Sequence, residues 1–497
     1  MNETKISNRD LSKMLLTLGI GITLIYLAFL KPGIWGHDGN DMLQVSISLI
    51  TKGSFALPDG LGVQGADGQY YSVRYPLLSI VAIPFTAVGL VLASVLGLPV
   101  NYVAGVCVLV LSVLLTAGCA VFVALIALRL GSKLKLAYLA ALSYAFGTVA
   151  LVYSREFFAE PLLSFLTAAS LYLILGQSRR SQVSASLIGG LAITAKPAAV
   201  VIGPALAIYL FAKKRPWYLI LAPLISTAMG MGLYFSYNYL RFGDWFSSGQ
   251  DGGRFGPAGF GPRLFGQLFG FGAGGGLIWY CPPVILAVVG FYQAVKHKKT
   301  LEALVVVAVF CGFWLLHGFW RFEGWSWGPR FIVPTLPGLM ALAALAGYRW
   351  KKTLLALTLI GFLASAPSLV SFYQRHYAEA SDAGVIKEAL ELWIPPAQSP
   401  LIQSWGAGYR QVQAGLNSDV ANVLKDAGAP PAPGSLATSQ LLQIVAVWWW
   451  VLPAAGIPLW IGFLIAILLV AAGVWLLWQG WGYVSKSKGA NKDLTPL

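Results

Sequence analysis

An all-α, polytopic membrane fold is predicted by three observations. Hydrophobic residues make up 57% of the chain, charged residues only 11%, and the mean hydropathy is +0.71. A soluble protein of this composition would expose far more apolar surface than water tolerates. The net charge of +15 does not point to nucleic acid, because Lys and Arg come as short clusters between apolar runs, the pattern of cytoplasmic loops. Cys107, Cys119, Cys281 and Cys311 fall within apolar stretches with neither CxxC nor His-paired spacing, so no disulfide framework or zinc site is expected.

The first span, Met14 to Leu30, follows Lys5, Arg9 and Lys13, has no small-residue cleavage site and is long enough at ~1.5 Å per residue to serve as an uncleaved first helix with a cytoplasmic N-terminus. Counting Leu77 to Val100 as a full crossing would send the loop of Arg129, Lys133 and Lys135 outside and break the positive-inside rule downstream. That run is therefore expected to lie along or dip into the outer leaflet. Crossings follow near 102–128, 136–153, 160–176, 186–195, 197–212, 216–240, 276–295, 301–319, 331–347, 353–372 and 443–478. The total is about 12 transmembrane helices with outer-face juxtamembrane helices, two of the crossings being short and both termini cytoplasmic. Of the 19 acidic residues only Glu3, Asp10, Glu302 and Asp493 fall on the basic side. The 186–212 stretch begins and ends at basic clusters, so it reads as a hairpin turning at Lys196-Pro197, where proline ends the helix.

Three segments face outward on the acidic side: 31–100, 241–275 and 373–442. The first contains a run from Asp41 to Thr51 with apolar residues at helical spacing, read as a short amphipathic helix on the membrane interface. The second is rich in Gly and Phe, including Phe265, Phe269 and Phe271. The third is broken by Pro395-Pro396 and by Ala429 to Pro433 and is too small for an independent enzyme domain. The organisation expected is a transmembrane catalytic module over 1–372, an outer loop segment over 373–442, and a last transmembrane helix with a basic cytoplasmic tail over 443–497. No inverted repeat is evident.

Six motifs fall at the outer ends of these spans. They are Gly36-His-Asp-Gly-Asn-Asp41, Gly68-Gln-Tyr-Tyr-Ser-Val-Arg-Tyr-Pro76, Tyr153-Ser-Arg-Glu-Phe-Phe-Ala-Glu-Pro161, Gly190-Leu-Ala-Ile-Thr-Ala-Lys-Pro197, Asn238-Tyr-Leu-Arg-Phe-Gly243 and Gly324-Trp-Ser-Trp-Gly-Pro-Arg330. In their order and topology they resemble the GT-C glycosyltransferases, the polytopic class that includes protein O-mannosyltransferases, aminoarabinose transferases and oligosaccharyltransferases. The resemblance implies transfer of a sugar from a polyprenyl phosphate donor to a lipid, polysaccharide or protein on the extracytoplasmic face. It places the chain in a bacterial plasma membrane, and the lack of a large soluble domain leans toward a small or lipid acceptor.

An inverting transfer needs a carboxylate to take the acceptor proton and cations to stabilise the departing phosphate. The resemblance sets Asp38 at the family's catalytic acid position, with Asp41 close behind and Gly39 where many relatives carry Glu. On the bland reading, Asp38 caps the amphipathic helix and Asp41 occupies its first turn. Glu156 and Glu160, beside Arg155, match the family's second acidic motif, which positions the acceptor; a structural ion pair with Arg155 explains them nearly as well. Arg330, Arg74, Lys196 and Arg241 are the candidate phosphate ligands, Arg74 standing where many relatives carry Lys. Tyr70, Tyr71, Tyr75, Trp325 and Trp327 are candidates to stack on a sugar, or belt residues. His317 ends a span near the same face as a supporting residue. No firm metal site is expected; Asp38, Asp41, His37, Glu156 and Glu160 leave a divalent cation, Mg or Mn, as an option. Alternatives are a transporter or flippase of lipid-linked sugars, which should carry ionisable residues near mid-membrane, an oligosaccharide ligase or polymerase, and a noncatalytic scaffold.

Overall fold

A run of apolar helices passing back and forth between two faces builds the protein, and the computed structural model describes residues 7–250, 255–321, 324–426 and 443–486. Helix α1 (Asn8–Ala28) is capped at its start by Ser7. The chain then makes a long excursion through α2 (His37–Lys52), α3 (Pro76–Val81) and α4 (Ile83–Leu96) before the 30-residue α5 (Val100–Arg129). Gly33 lies against Tyr102, and Gly105 against Gly33 and Ile34, so the excursion starts and ends on one face. This agrees with the expectation that Leu77 to Val100 makes no net crossing.

Return passes follow in α6 (Leu134–Gly147), α7 (Ala150–Tyr153), α8 (Ala159–Ile174), α9 (Arg179–Ala195), α10 (Ile202–Ala212) and α11 (Trp217–Phe242). Beyond them come α12 (Phe260–Phe269), α13 (Leu277–Tyr280), α14 (Leu286–Lys296), α15 (Thr300–Gly318), α16 (Leu336–Ala343), α17 (Lys351–Ser365) and α18 (Pro367–Val370). The chain ends in α19 (Gln374–Asp382), α20 (Ile386–Ala389), α21 (Pro400–Asn417), α22 (Val420–Asp426) and α23 (Leu459–Lys486).

Among the described residues, five helices are long and apolar enough to cross a membrane, or six when the bent pair Arg330–Ala346 and Tyr348–Ser365 counts as one span. Five further apolar helices are shorter, Ile83–Leu96, Leu134–Gly147, Ala159–Ile174, Pro197–Ala212 and Pro282–Lys296, and proline cuts or bends several passes. Pro282 and Pro283 interpose a 3₁₀ turn between α13 and α14, and Pro334 lies in the 3₁₀ turn Arg330–Thr335 ahead of α16. The last span also starts later than the expected residue 443: Trp448–Ala455 forms a 3₁₀ turn, and α23 begins after Pro458. The Ala429–Pro433 breaker and the tail beyond 486 lie outside the described residues. In the other direction, α9 is longer than the expected 186–195, because Ser178 accepts a hydrogen bond from Ser181 N and starts the helix early.

Basic residues gather on the face opposite Gly33. There Lys213 pairs with Glu302 at 2.9 Å, Ser132 donates to the Ala344 carbonyl, Lys133 sits over Tyr348, and Lys135 and Lys351 sit over Trp481. Small residues let the passes touch. A Cβ at Gly190 would lie 2.2 Å from the Ser226 carbonyl oxygen and one at Gly230 would lie 2.2 Å from that of Gly190, so α9 and α11 are in backbone contact.

Helix α2 is buried beneath α3 and α4 rather than lying bare on the interface as expected. Ser46 donates to the Ser79 carbonyl, Ser79 returns a bond to the Met42 carbonyl at 2.9 Å, and Gln44 donates to Asn101. Its first residue is His37 and its N-cap is Gly36, which makes no side-chain cap. Asp38 therefore occupies the first turn instead of capping it, and Asp41 follows in the second. A small antiparallel sheet, unexpected in an all-α chain, joins β1 (Ala56–Leu57), β2 (Val63–Gln64) and β3 (Tyr70–Tyr71) in the order β1-β3-β2, with Ala56 opposite Tyr71 and Val63 opposite Tyr71. It folds the excursion back so that Arg74 returns to the start of α2.

Candidate active site

Four other elements gather around Arg330, which touches two of them directly. Its Nη2 donates to Asp38 Oδ2 at 2.8 Å and its Nε to Glu160 Oε1 at 3.0 Å. Asp38 also takes Arg74 Nη2 at 2.6 Å, and Glu160 takes Lys196 Nζ at 2.8 Å. The result is an unbroken chain of alternating charge, Arg74–Asp38–Arg330–Glu160–Lys196. Each member comes from a different element, respectively the end of the sheet loop, the first turn of α2, the start of the 3₁₀ turn before α16, the first turn of α8, and the break between α9 and α10.

Aromatic rings floor this chain. The Arg330 guanidinium lies 3.9 Å from the Phe158 ring centroid, and the Lys196 ammonium 3.9 Å from that of Phe331, which stacks in turn on His317 at 4.8 Å. Glu160 is fully buried, and its Oε2 has no partner; the buried Nε of Arg74 is likewise unpaired. An unpaired acceptor on Glu160 and an unpaired donor on Arg74 thus remain within the cluster.

The pair of early aspartates differ in state. Burial would raise the Asp38 carboxyl, but Arg330 and Arg74 outweigh it and hold the group down at about 2. Asp41, one turn on, forms no ion pair among the described residues, and burial raises it despite Arg74 and His37 nearby.

Gly39 explains how α2 reaches the site. A Cβ there would stand 2.7 Å from Ile34 Cγ2 and 2.9 Å from the Phe157 carbonyl oxygen, so the first turn of α2 packs directly on the loop before α8. No larger side chain has room at this position without a shift of the loop.

Other candidates lie apart from the cluster. Arg241 is buried, with its Nη1 on the Ser72 carbonyl, its Nη2 on Asn238 Oδ1 at 2.8 Å and its Nε on the Tyr237 carbonyl at 3.2 Å. Its fork holds the loop that carries Arg74. Arg155 donates to the Ser368 and Ala446 carbonyls and makes no ion pair with Glu156 or Glu160. Glu156 instead pairs with buried Lys31, whose ammonium lies over the rings of Phe372 and Tyr373. Lys31, which follows the first span, is not among the residues the sequence singles out, because nothing in the sequence links it to Glu156, 125 positions on. Tyr71 gives its hydroxyl to Asp67 at 2.8 Å, Trp327 is fully buried against Tyr280, and Trp325 is exposed and stacks on Tyr377. Tyr70 and Tyr75 are half-buried, Tyr75 against Tyr234, and Trp325 is the most exposed of the five candidates, with one face on Tyr377.

Among the described residues no group of three or more His, Cys, Asp or Glu is arranged to hold a metal ion. The carboxylates of Asp38, Glu156 and Glu160 are each taken by cationic side chains, a donor set that does not suit Mg or Mn.

No family model matches the chain, and no curated protein matches it in sequence. Among solved structures, ArnT of Cupriavidus metallidurans in the apo state matches with a TM-score of 0.50 at 16% identity, over 92% of this chain and 76% of that one. The fold is GT-C. ArnT bound to undecaprenyl phosphate gives 0.48 at 15% identity, over 94% and 78%, and the Archaeoglobus fulgidus oligosaccharyltransferase 0.47 at 11%, over 88% and 56%. With this architecture and its apolar helices the chain is a multi-pass membrane protein.

Proposed function

We propose that the protein is a membrane glycosyltransferase that moves a sugar from a polyprenyl phosphate donor to an acceptor hydroxyl on the extracytoplasmic face of a bacterial plasma membrane. The observation that carries this reading is the Arg74–Asp38–Arg330–Glu160–Lys196 chain at the ends of the passes. Three cations and two carboxylates leave one positive charge there, which suits the single negative charge of a sugar phosphodiester. The basic clusters on the opposite face favour an outward-facing site.

In this mechanism Arg74, Arg330 and Lys196 hold the donor phosphate, and Asp38 is the base. The acceptor oxygen forms a bond to the anomeric carbon while its proton passes to the Asp38 carboxylate. The bond from the anomeric carbon to the phosphate oxygen breaks, and its electron pair leaves with prenyl phosphate, stabilised by the same cations. Asp41, whose carboxyl is raised by burial, sits one turn behind Asp38. Glu160, with one oxygen free, is suited to accept a hydrogen bond from the sugar or the acceptor, and Trp325 to stack on a ring. Arg241, Arg155, Tyr71 and Trp327 support the site from behind, and no divalent ion is assigned a role. The charged residues of α5, α11 and α15 lie at or near the helix ends, as Arg129, Arg241 and Glu302, which disfavours a transporter with a mid-membrane ion path.

The test is release of polyprenyl phosphate from a panel of prenyl phosphate sugars by the protein in nanodiscs, with acceptor extracts supplied. Turnover that disappears in Asp38→Asn supports the reading. A folded wild type that releases nothing from any donor defeats it.

A further inference from the structure

We infer that helix α21, in the segment between α17 and α23, seats on the lipid surface at the site's side of the bilayer, so that this part of the chain lies among lipid headgroups instead of standing clear of them. The inference rests on the multi-pass membrane architecture and not on the proposed transfer reaction.

The helix has three faces. Its inward face is made of Ser404, Ala407, Gly408, Gln411 and Gly415, all buried. Gly408 runs beside Pro367 and Ser371, Gly415 meets Val445 and Trp450, and the Gln411 amide donates to the Ile444 carbonyl. The second face holds its bulky side chains, and these point away from the protein. Ile402 is 55% exposed, Trp405 51%, Tyr409 65% and Leu416 68%. Spaced by three, four and seven residues, they form one narrow stripe along the helix. A polar flank runs along one side of the stripe, with Gln403, Arg410 and Asn417 seven residues apart and exposed. Arg410 reaches Glu379 at 2.7 Å.

A helix at the surface of a soluble protein turns its large apolar residues inward. Here small residues face the protein, bulky ones face out, and polar ones lie to one side. That arrangement fits an element in contact with protein, lipid and water at once. Tryptophan and tyrosine favour the membrane interface, an arginine stem lets its head reach the phosphate layer, and α21 carries no acid that anionic lipid would repel.

The stripe is also continuous with apolar residues on the rim of the bundle. Ser399, which caps α21, donates to the Phe271 carbonyl, and the Phe271 ring stacks at 5.0 Å on exposed Trp279 at the head of α13. The Trp393 indole donates to the Pro262 carbonyl on α12, whose Phe265 and Phe269 are exposed. At its far end α21 meets Trp450, in the turn that leads into α23.

Spin labels test this in nanodiscs made of phosphatidylethanolamine and phosphatidylglycerol. Stripe labels come from Ile402→Cys, Tyr409→Cys and Leu416→Cys, and flank labels from Gln403→Cys, Arg410→Cys and Asn417→Cys. Stripe labels should collide preferentially with oxygen, at a depth of about 5–10 Å below the phosphates, and flank labels with a water-soluble nickel chelate. A label-free check compares wild type with Trp405→Phe in brominated lipid, where the fluorescence lost with Trp405 should be a bromine-quenched component. Stripe labels as open to nickel as the flank would make the stripe a water-facing surface for an acceptor or protein and overturn the inference. Labels shielded from both reagents, with dipolar broadening between copies, would assign the stripe to a second copy of the chain and overturn it equally.

Discussion

Asp38 and Arg330 stand 292 positions apart in the chain and meet at 2.8 Å. The same carboxylate takes Arg74 at 2.6 Å, so the base of the proposed reaction occupies the guanidinium donors that its donor phosphate would need. Phosphate and Asp38 compete for them, and binding of the donor frees the carboxylate to act. Asp38→Asn should therefore lower turnover by about 10²–10⁴-fold, the usual worth of a general base, while prenyl phosphate binds at least as tightly as to wild type. Fluorescence titration with undecaprenyl phosphate separates the two effects. Weaker binding in Asp38→Asn would make the carboxylate a prop for the arginines and sink the competition.

Arg74→Lys keeps the charge but removes the planar fork that meets Asp38 and leaves Nε free. The KM for donor should rise by about 10-fold or more, as expected for loss of a charge-assisted hydrogen bond of roughly 1.5–3 kcal/mol, with a smaller change in kcat. An equal fall in kcat and unchanged KM would place Arg74 away from the phosphate.

Much of the cluster was legible because charges are scarce in so apolar a chain. Asp38, Arg74, Glu160, Lys196 and Arg330 all fall at span ends on one side, and the structure joins all five. What could not be read was which acid goes with which cation. Glu156 and Glu160 are four apart, a spacing that would align them on a helix, but α8 begins only at Ala159, so the two point to different partners. Arg241 reads as a phosphate ligand and Arg155 as the partner of Glu156 and Glu160, because nothing in a sequence reveals that a guanidinium is spent on backbone carbonyls from distant segments. Broken passes obscured the span boundaries in the same way, since Pro282, Pro334 and Pro458 interrupt apolar runs that periodicity alone would join.

The Lys31–Glu156 pair ties the end of α1 to the loop before α8, and both side chains are nearly fully buried. Lys31→Met leaves a carboxylate without its cation in a dry site, at a cost of about 3–5 kcal/mol. The variant should lose thermal stability strongly in nanodiscs, and Lys31→Met with Glu156→Gln should recover most of it. A single variant as stable as wild type would show that water reaches Glu156.

The two aspartates make opposite contributions to pH dependence. For Asp38, held at about 2, the stabilisation is complete above the unfolded carboxyl value of ~3.9 and is lost as pH falls from there toward 2. Asp41 is raised by burial, so at neutral pH its ionised form opposes folding, and that penalty is relieved as pH falls through its folded value. Thermal scans of Asp41→Asn should show higher stability than wild type near pH 7 and a gap that narrows in acid. A gap that widens in acid would reverse the assignment of burial as the dominant cause.

Gly39 sets how closely α2 approaches the loop before α8. A methyl group at this position would meet Ile34 Cγ2 at 2.7 Å and the Phe157 carbonyl oxygen at 2.9 Å, and the second of these is backbone that cannot swing aside. Gly39→Ala must push the first turn of α2 outward, lengthening the Asp38–Arg330 contact and drawing the base away from the reacting centre. Small displacements of this kind can cost about 10²-fold in rate, so kcat should fall by at least tenfold. Because α2 is also held through Ser46, Ser79 and Gln44, the variant should fold and insert normally and keep its affinity for prenyl phosphate. Full activity in Gly39→Ala would mean that the placement of Asp38 against Arg330 does not govern the rate, and the base would have to be sought outside the first turn of α2.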